Sequence, residues 1–147
     1  MTVAVLKENY EGEKRVALTP GHIPDMVNAG IEVVVEEGAG LASGIDDEEY
    51  RKKGAKLAPR SEAAKQADVL LTVRSAAALP EEADDPSELL KEGAAVIGFA
   101  DPYQPNERFS AMQKKKLSLY SMELMPRITR AQSMDALSSM ANLGGYK

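Results

Sequence analysis

Short apolar runs and stretches with helical spacing take turns along the whole chain. The runs fall at residues 2–6 (TVAVL), 31–35 (IEVVV), 55–57, 69–73 (VLLTV), 94–100 (AAVIGFA) and 117–121. Their near-continuous hydrophobicity and β-branched content suit strands covered on both faces, as in a parallel sheet. Between them the spacing predicts helices. Thr19 as N-cap and Pro20 in the first turn start one that runs to Ala29 and stops at Gly30, with Pro24 delaying or distorting its start. Asp46 or Asp47 caps a short helix through Lys53, Ser61 starts one over 62–67, and Asn106 caps one over 107–116. Residues 76–88 shift to Ala, Pro, Glu and Asp and read as a solvated acidic loop with one helical turn at 87–90. This alternation predicts the α/β class: a doubly wound, mostly parallel sheet with helices on both faces, of the flavodoxin-like kind.

The stretch 122–146, MELMPRITRAQSMDALSSMANLGGY, departs from this rhythm. Polar residues dominate its start, after Pro126 breaks the preceding strand. Thr129 with Gln132 fits a capping box. Met134, Leu137, Met140 and Ala141 then recur at the spacing of a buried helical stripe. Arg127 falls on the strand-to-helix turn, and Asp135 and Ser138 stand three apart on one flank of the helix. Turns of this kind at strand carboxyl ends are where open α/β sheets hold ligands. The bland alternative is that Arg127 and Asp135 tie the turn to the helix as an ion pair.

Composition narrows the chemistry. The 147 residues suit one domain. A net charge of -5 without a long basic run argues against nucleic acid or an anionic membrane surface. The densest cluster, Lys114 to Lys116, reads as a solvated, dipole-matched helix end. Without cysteine there is no disulfide or thiolate-held metal, and with His22 as the sole imidazole there is no paired-histidine metal site. His22 itself reads as an ordinary surface residue. No signal peptide or membrane-length apolar run occurs, which predicts a soluble, cytoplasmic chain. The glycines of Gly38-Ala39-Gly40 follow a strand, as a dinucleotide fingerprint would, but the third glycine and the acidic-tipped strand are missing, so they read as turn glycines.

Three segments, KENYEGEKRVALTP, IEVVVEEGAG and above all PRITRAQSMDALSS, resemble the N-terminal domain shared by alanine dehydrogenase and the alpha subunit of proton-translocating nicotinamide nucleotide transhydrogenase. The resemblance covers essentially the whole chain, and the third segment is specific to the transhydrogenase branch. It implies that Arg127, Gln132, Asp135 and Ser138 line a cleft beside the nicotinamide end of bound NAD(H). A carboxamide offers donor and acceptor atoms, which such a set can orient. The resemblance further implies NADP(H) on a partner domain, membrane partner subunits, a homodimer, and a position peripheral to the inner membrane.

Two positions separate the branches. Alanine dehydrogenases carry a lysine after the VLLTV-like strand and a histidine at the end of the AAVIGFA-like strand; here Arg74 and Asp101 align with them. Arginine can anchor a carboxylate but does not give up its proton, whereas oxidative deamination needs a proton acceptor. Hydride transfer between two nicotinamides needs close ring approach only. The family's Rossmann domain, with its glycine fingerprint, does not follow Lys147, so the reading is a truncated N-terminal domain, inactive by itself, that binds NAD(H) very weakly. An alanine-dehydrogenase-type amino-acid oxidoreductase and a non-catalytic dimerisation or docking module are the alternatives. Arg15 is read equally as a ligand contact and as an ion-pair partner of Glu8 or Glu13.

Overall fold

Val3 lies beside Val33 and Val5 beside Val35 across the first strand pair, in-register β-branched neighbours that fit a pleated surface covered on both sides. A computed structural model describes residues 1–80, 84–104 and 106–146. Among the described residues six strands, β1 (Thr2–Val5), β2 (Glu32–Glu36), β3 (Lys56–Ala58), β4 (Val69–Arg74), β5 (Ala95–Phe99) and β6 (Ser118–Ser121), form one all-parallel sheet in the order β3-β2-β1-β4-β5-β6. Without the three-residue edge strand β3, the order is the flavodoxin-like one. The doubly wound α/β layer is therefore as expected, and the winding reverses between β1 and β4.

The helices are α1 (Ile23–Asn28), α2 (Asp47–Lys52), α3 (Arg60–Gln66), α4 (Glu107–Lys114) and α5 (Ala136–Gly145). Alternation along the strands sends Ala4, Val34, Leu70 and Val96 to one face, where they bury Ala63, Ala64 and Ala67 of α3 and its following turn, and Met112 of α4. Val5, Val33 and Val35 turn to the other face and bury Ile23 of α1 and Tyr50 of α2. Tyr50 is fully buried and its hydroxyl donates to the Leu18 carbonyl at 2.9 Å; burial, with the charges of Asp47 and Glu49 behind it, pushes the phenol up to about 12. Tyr50→Phe leaves that carbonyl without its donor and should cost about 1–3 kcal/mol, read as a lower urea midpoint. The backbone at Gly40 packs so closely on this ring that an added Cβ would lie 2.8 Å from it.

Several local expectations change. The helix expected over 20–29 opens as a 3-10 turn at Pro20–His22, and α1 proper begins only at Ile23, with Pro24 in its first turn, because a proline supplies no N–H to a preceding turn. Asp46 does cap α2, in a full capping box with Glu49. Pro59, not Ser61, holds the cap position of α3. The acidic loop is less solvated than its composition implies: 3-10 turns at Ala76–Ala78 and Pro86–Leu89 bury Ala76, Ala77, Leu79, Ser87 and Leu90. Residues 81–83 of that loop, Pro105 and Lys147 lie outside the described residues. Lys115 donates its ammonium to the carbonyls of Ser87 and Glu88, and Lys116 pairs with Glu92.

The largest departure is at the C-terminal end. The Thr129–Gln132 capping box does not form; Thr129–Met134 is a 3-10 turn without a side-chain cap, and Asp135 caps α5 instead. The expected buried stripe is open to solvent: no α5 residue is buried, and Met134, Leu137 and Met140 are 49%, 36% and 40% exposed. The reason is placement. Leu137 and Met140 lean over cavities above β4 and β5 and not onto a closed sheet face. No helix among the described residues is long and apolar enough to cross a membrane.

Candidate functional site

The reversal of winding between β1 and β4 leaves a crevice beyond their carboxyl ends, the place where doubly wound sheets hold ligands. A cavity of about 380 Å³ occupies it, lined by Arg15, Leu71 to Val73, Ile97 to Phe99 and, from α5, Ala136 and Met140. A second, of about 280 Å³, adjoins it and brings Arg15, Arg74, Asp101, Glu123 and Leu137 together.

Carboxylates organise this crevice. Glu13 receives Arg15 bidentately, Nε to Oε1 at 2.8 Å and Nη2 to Oε2 at 2.6 Å. The remaining Arg15 nitrogen points at the Met140 sulfur 3.2 Å away, which ties α5 to the crevice. Of the two partners open for Arg15, the structure selects Glu13 for the ion pair while also setting Arg15 in the cavity wall. Arg74 stacks its guanidinium 4.1 Å above the Tyr10 ring, a cation–π contact, with Nε 3.8 Å from Glu13. Glu8 accepts from the amides of Val73 (2.7 Å) and Arg74 (3.1 Å), and its oxygen lies 3.0 Å from the Thr72 hydroxyl. Burial raises the pKa of Glu8 against the pull of those hydrogen bonds. On the far wall Glu123 accepts from the amides of Ala100 (3.0 Å) and Asp101 (2.9 Å). Burial pushes Glu123 up, but hydrogen bonds from Ser121 and these amides outweigh it and hold the carboxyl below its ordinary value.

Glu13 makes a pH prediction. The Arg15 guanidinium holds its carboxyl below the ordinary value, so the pair's contribution is complete above the unfolded-state pKa and is lost as pH falls through the lower folded one. Glu13→Gln should therefore flatten the acid limb of a plot of unfolding free energy against pH.

The four residues singled out from sequence come together beside this crevice. Arg127, exposed on the segment after Pro126, lines a groove of about 140 Å³ with Gln132 and Asp135. Ser138 joins them through Asp135, which accepts from the Ser138 amide at 3.0 Å and its hydroxyl at 2.6 Å. Those two bonds, and then the Arg127 charge, hold the Asp135 carboxyl low. Asp135 thus serves Ser138 as a cap and meets Arg127 only through the field, not as the direct ion pair of the bland reading. Asp135→Ala should fray the first turn of α5, visible as Cα shifts at 136–138 moving toward coil values. Ala136 borders the larger cavity while Asp135 borders the groove, so the two adjoin at the start of α5.

The sequence match settles the kinship. The family described as alanine dehydrogenase/PNT, N-terminal domain, matches residues 4–144. The chain belongs to that family. This alanine dehydrogenase/PNT domain is 42% identical over 148 aligned positions, its full length, to an NAD(P) transhydrogenase subunit alpha component of Rhodospirillum rubrum, of which it covers 38%. It is 32% identical over 141 residues to alanine dehydrogenase 1 of Staphylococcus aureus, covering 96% of itself and 36% of that protein. The crystal structure of transhydrogenase from Sinorhizobium meliloti superposes with a TM-score of 0.89 at 45% identity over 99% of this chain and 40% of that one. The domain therefore spans well under half the length of these relatives.

Glu8 and Glu123 are the site residues that sequence reading passed over as clamps. Their signal is faint: each is a carboxylate shortly past a strand end, and only the fold shows which neighbouring amides it meets.

Proposed function

We propose that this domain is the N-terminal portion of the NAD(H)-binding component of a proton-translocating NAD(P) transhydrogenase. In this reading Arg127, Gln132, Asp135 and Ser138 hold the nicotinamide end of NAD(H), with NADP(H) on a partner domain. The observation that carries it is the grouping of Arg127, Gln132 and Asp135 on an open groove next to the switch-point crevice, with Ser138 joined to them through Asp135. When bound, NADH supplies the hydride that becomes part of NADPH, leaving NAD⁺. The chain's task is to fix one ring face and leave the other free. Arg127 donates from a planar fork, Gln132 offers both donor and acceptor, and Asp135 keeps the Ser138 hydroxyl directed. Arg74 and Asp101 stand in place of the lysine and histidine of an amino-acid dehydrogenase without supplying their acid/base function, which argues against the alanine-oxidising reading.

Alone, the chain contributes no adenosine or pyrophosphate contacts in this reading, so its NADH dissociation constant should be on the order of 1 mM or weaker. The functional test is a full-length enzyme carrying this segment. It should reduce NADP⁺ with NADH and show no alanine-dependent reduction of NAD⁺; alanine-dependent reduction would overturn the assignment.

A further inference from the structure

The floor of the crevice contains an irregularity that one side chain holds in place. On β4 the pairing with β5 advances from Leu71 to Arg74 while β5 advances only from Ile97 to Phe99, so three steps oppose two. Such a bulge leaves amides without ladder partners. On the other side β1 has already ended, since its last pairing with β4 is Val5 with Leu71. The amides of Val73 and Arg74 would thus lack strand acceptors, and Glu8, three residues beyond β1, supplies both. Thr72, within reach of the same carboxylate, also lies 2.7 Å from the Arg74 carbonyl, which closes the segment on itself. Thr72 and Val73 floor the larger cavity, and Arg74 forms a wall of the smaller.

We propose that Glu8 is a positioning residue: it fixes the Thr72–Arg74 floor of the crevice and thereby the seat of the nicotinamide end of NAD(H). This role rests on the NAD(H) reading above. Glu8 itself does not touch the nucleotide. It acts through two backbone amides, which need a pair of acceptor oxygens. Glutamine keeps the shape but presents an amide donor to one of the two N–H groups, so Glu8→Gln breaks the clamp without emptying the site.

The test compares wild type and Glu8→Gln, with amide hydrogen exchange on the isotope-labelled chain and an NADH titration on a full-length transhydrogenase carrying this segment. Exchange of the Val73 and Arg74 amides should accelerate at least roughly tenfold while amides at the centre of β1 and β2 stay protected, and NADH affinity should fall by at least roughly tenfold. Glu8→Ala should behave alike and be partly rescued by added acetate, which a purely volumetric role would not allow. Unchanged exchange at Val73 and Arg74 overturns the clamp. Faster exchange with unchanged NADH affinity overturns its positioning role. A full-length wild-type enzyme that ignores NADH, with the exchange difference intact, overturns the nucleotide reading and with it this function of Glu8, and is recognisable as that failure.

Discussion

Gly98→Ala should destabilise the domain by about 3 kcal/mol, the upper end of the usual cost of forcing volume into a packed core. A Cβ built at Gly98 lies 2.5 Å from the Thr72 carbonyl oxygen and 2.8 Å from its methyl group, and the oxygen belongs to the neighbouring strand. Side-chain rotation cannot relieve a clash with backbone. Thr72 is also poorly placed to yield, because Glu8 and the Arg74 carbonyl hold its hydroxyl. β4 and β5 must part at the crevice, so the variant should lose stability and distort the floor together. Urea unfolding checks the first effect. A midpoint equal to wild type would mean that the two strands separate freely here, and the rigid-floor description would be wrong.

The second large effect concerns ligand binding and should leave the fold alone. In a full-length transhydrogenase carrying this segment, Arg127→Ala should weaken NADH binding by about 1.5–3 kcal/mol, the range for hydrogen bonds to charged groups, or roughly 10- to 100-fold. Arg127 is exposed, so its removal should leave the unfolding midpoint near that of wild type. Arg127→Lys keeps the charge but loses the planar fork, and should recover only some of the affinity. A fall in midpoint as large as the fall in affinity would return Arg127 to a structural role.

Much of the architecture was legible because the strands announce themselves. VLLTV and AAVIGFA are almost wholly apolar, which marks them as β4 and β5, and the alternation of strands with helices, interrupted at the acidic loop between these two, points to the doubly wound sheet. The end of the chain was harder to read. Met134, Leu137 and Met140 keep the period of a core-facing helix, but period says only that apolar groups share a side and not what that side meets. Thr129 and Gln132 have the chemistry of a capping box, yet Asp135 lies where the helix begins and takes the cap with Ser138. Arg127, Gln132, Asp135 and Ser138 are singled out for the proposed nicotinamide end only through resemblance to a family, and the fold brings all four together. The Glu8 and Glu123 clamps depend on which strand ends lie side by side, which no local pattern encodes.

The proposed recognition of a pyridine ring by Arg127, Gln132, Asp135 and Ser138 can be tested residue by residue. The labelled chain is titrated with nicotinamide mononucleotide and, in parallel, with adenosine monophosphate, and amide chemical shifts are followed in both. Shifts should concentrate at residues 127–138 and the crevice floor with the first ligand, and be absent there with the second. Equal responses to both, or a response to nicotinamide mononucleotide elsewhere on the sheet, would contradict ring recognition by these four residues.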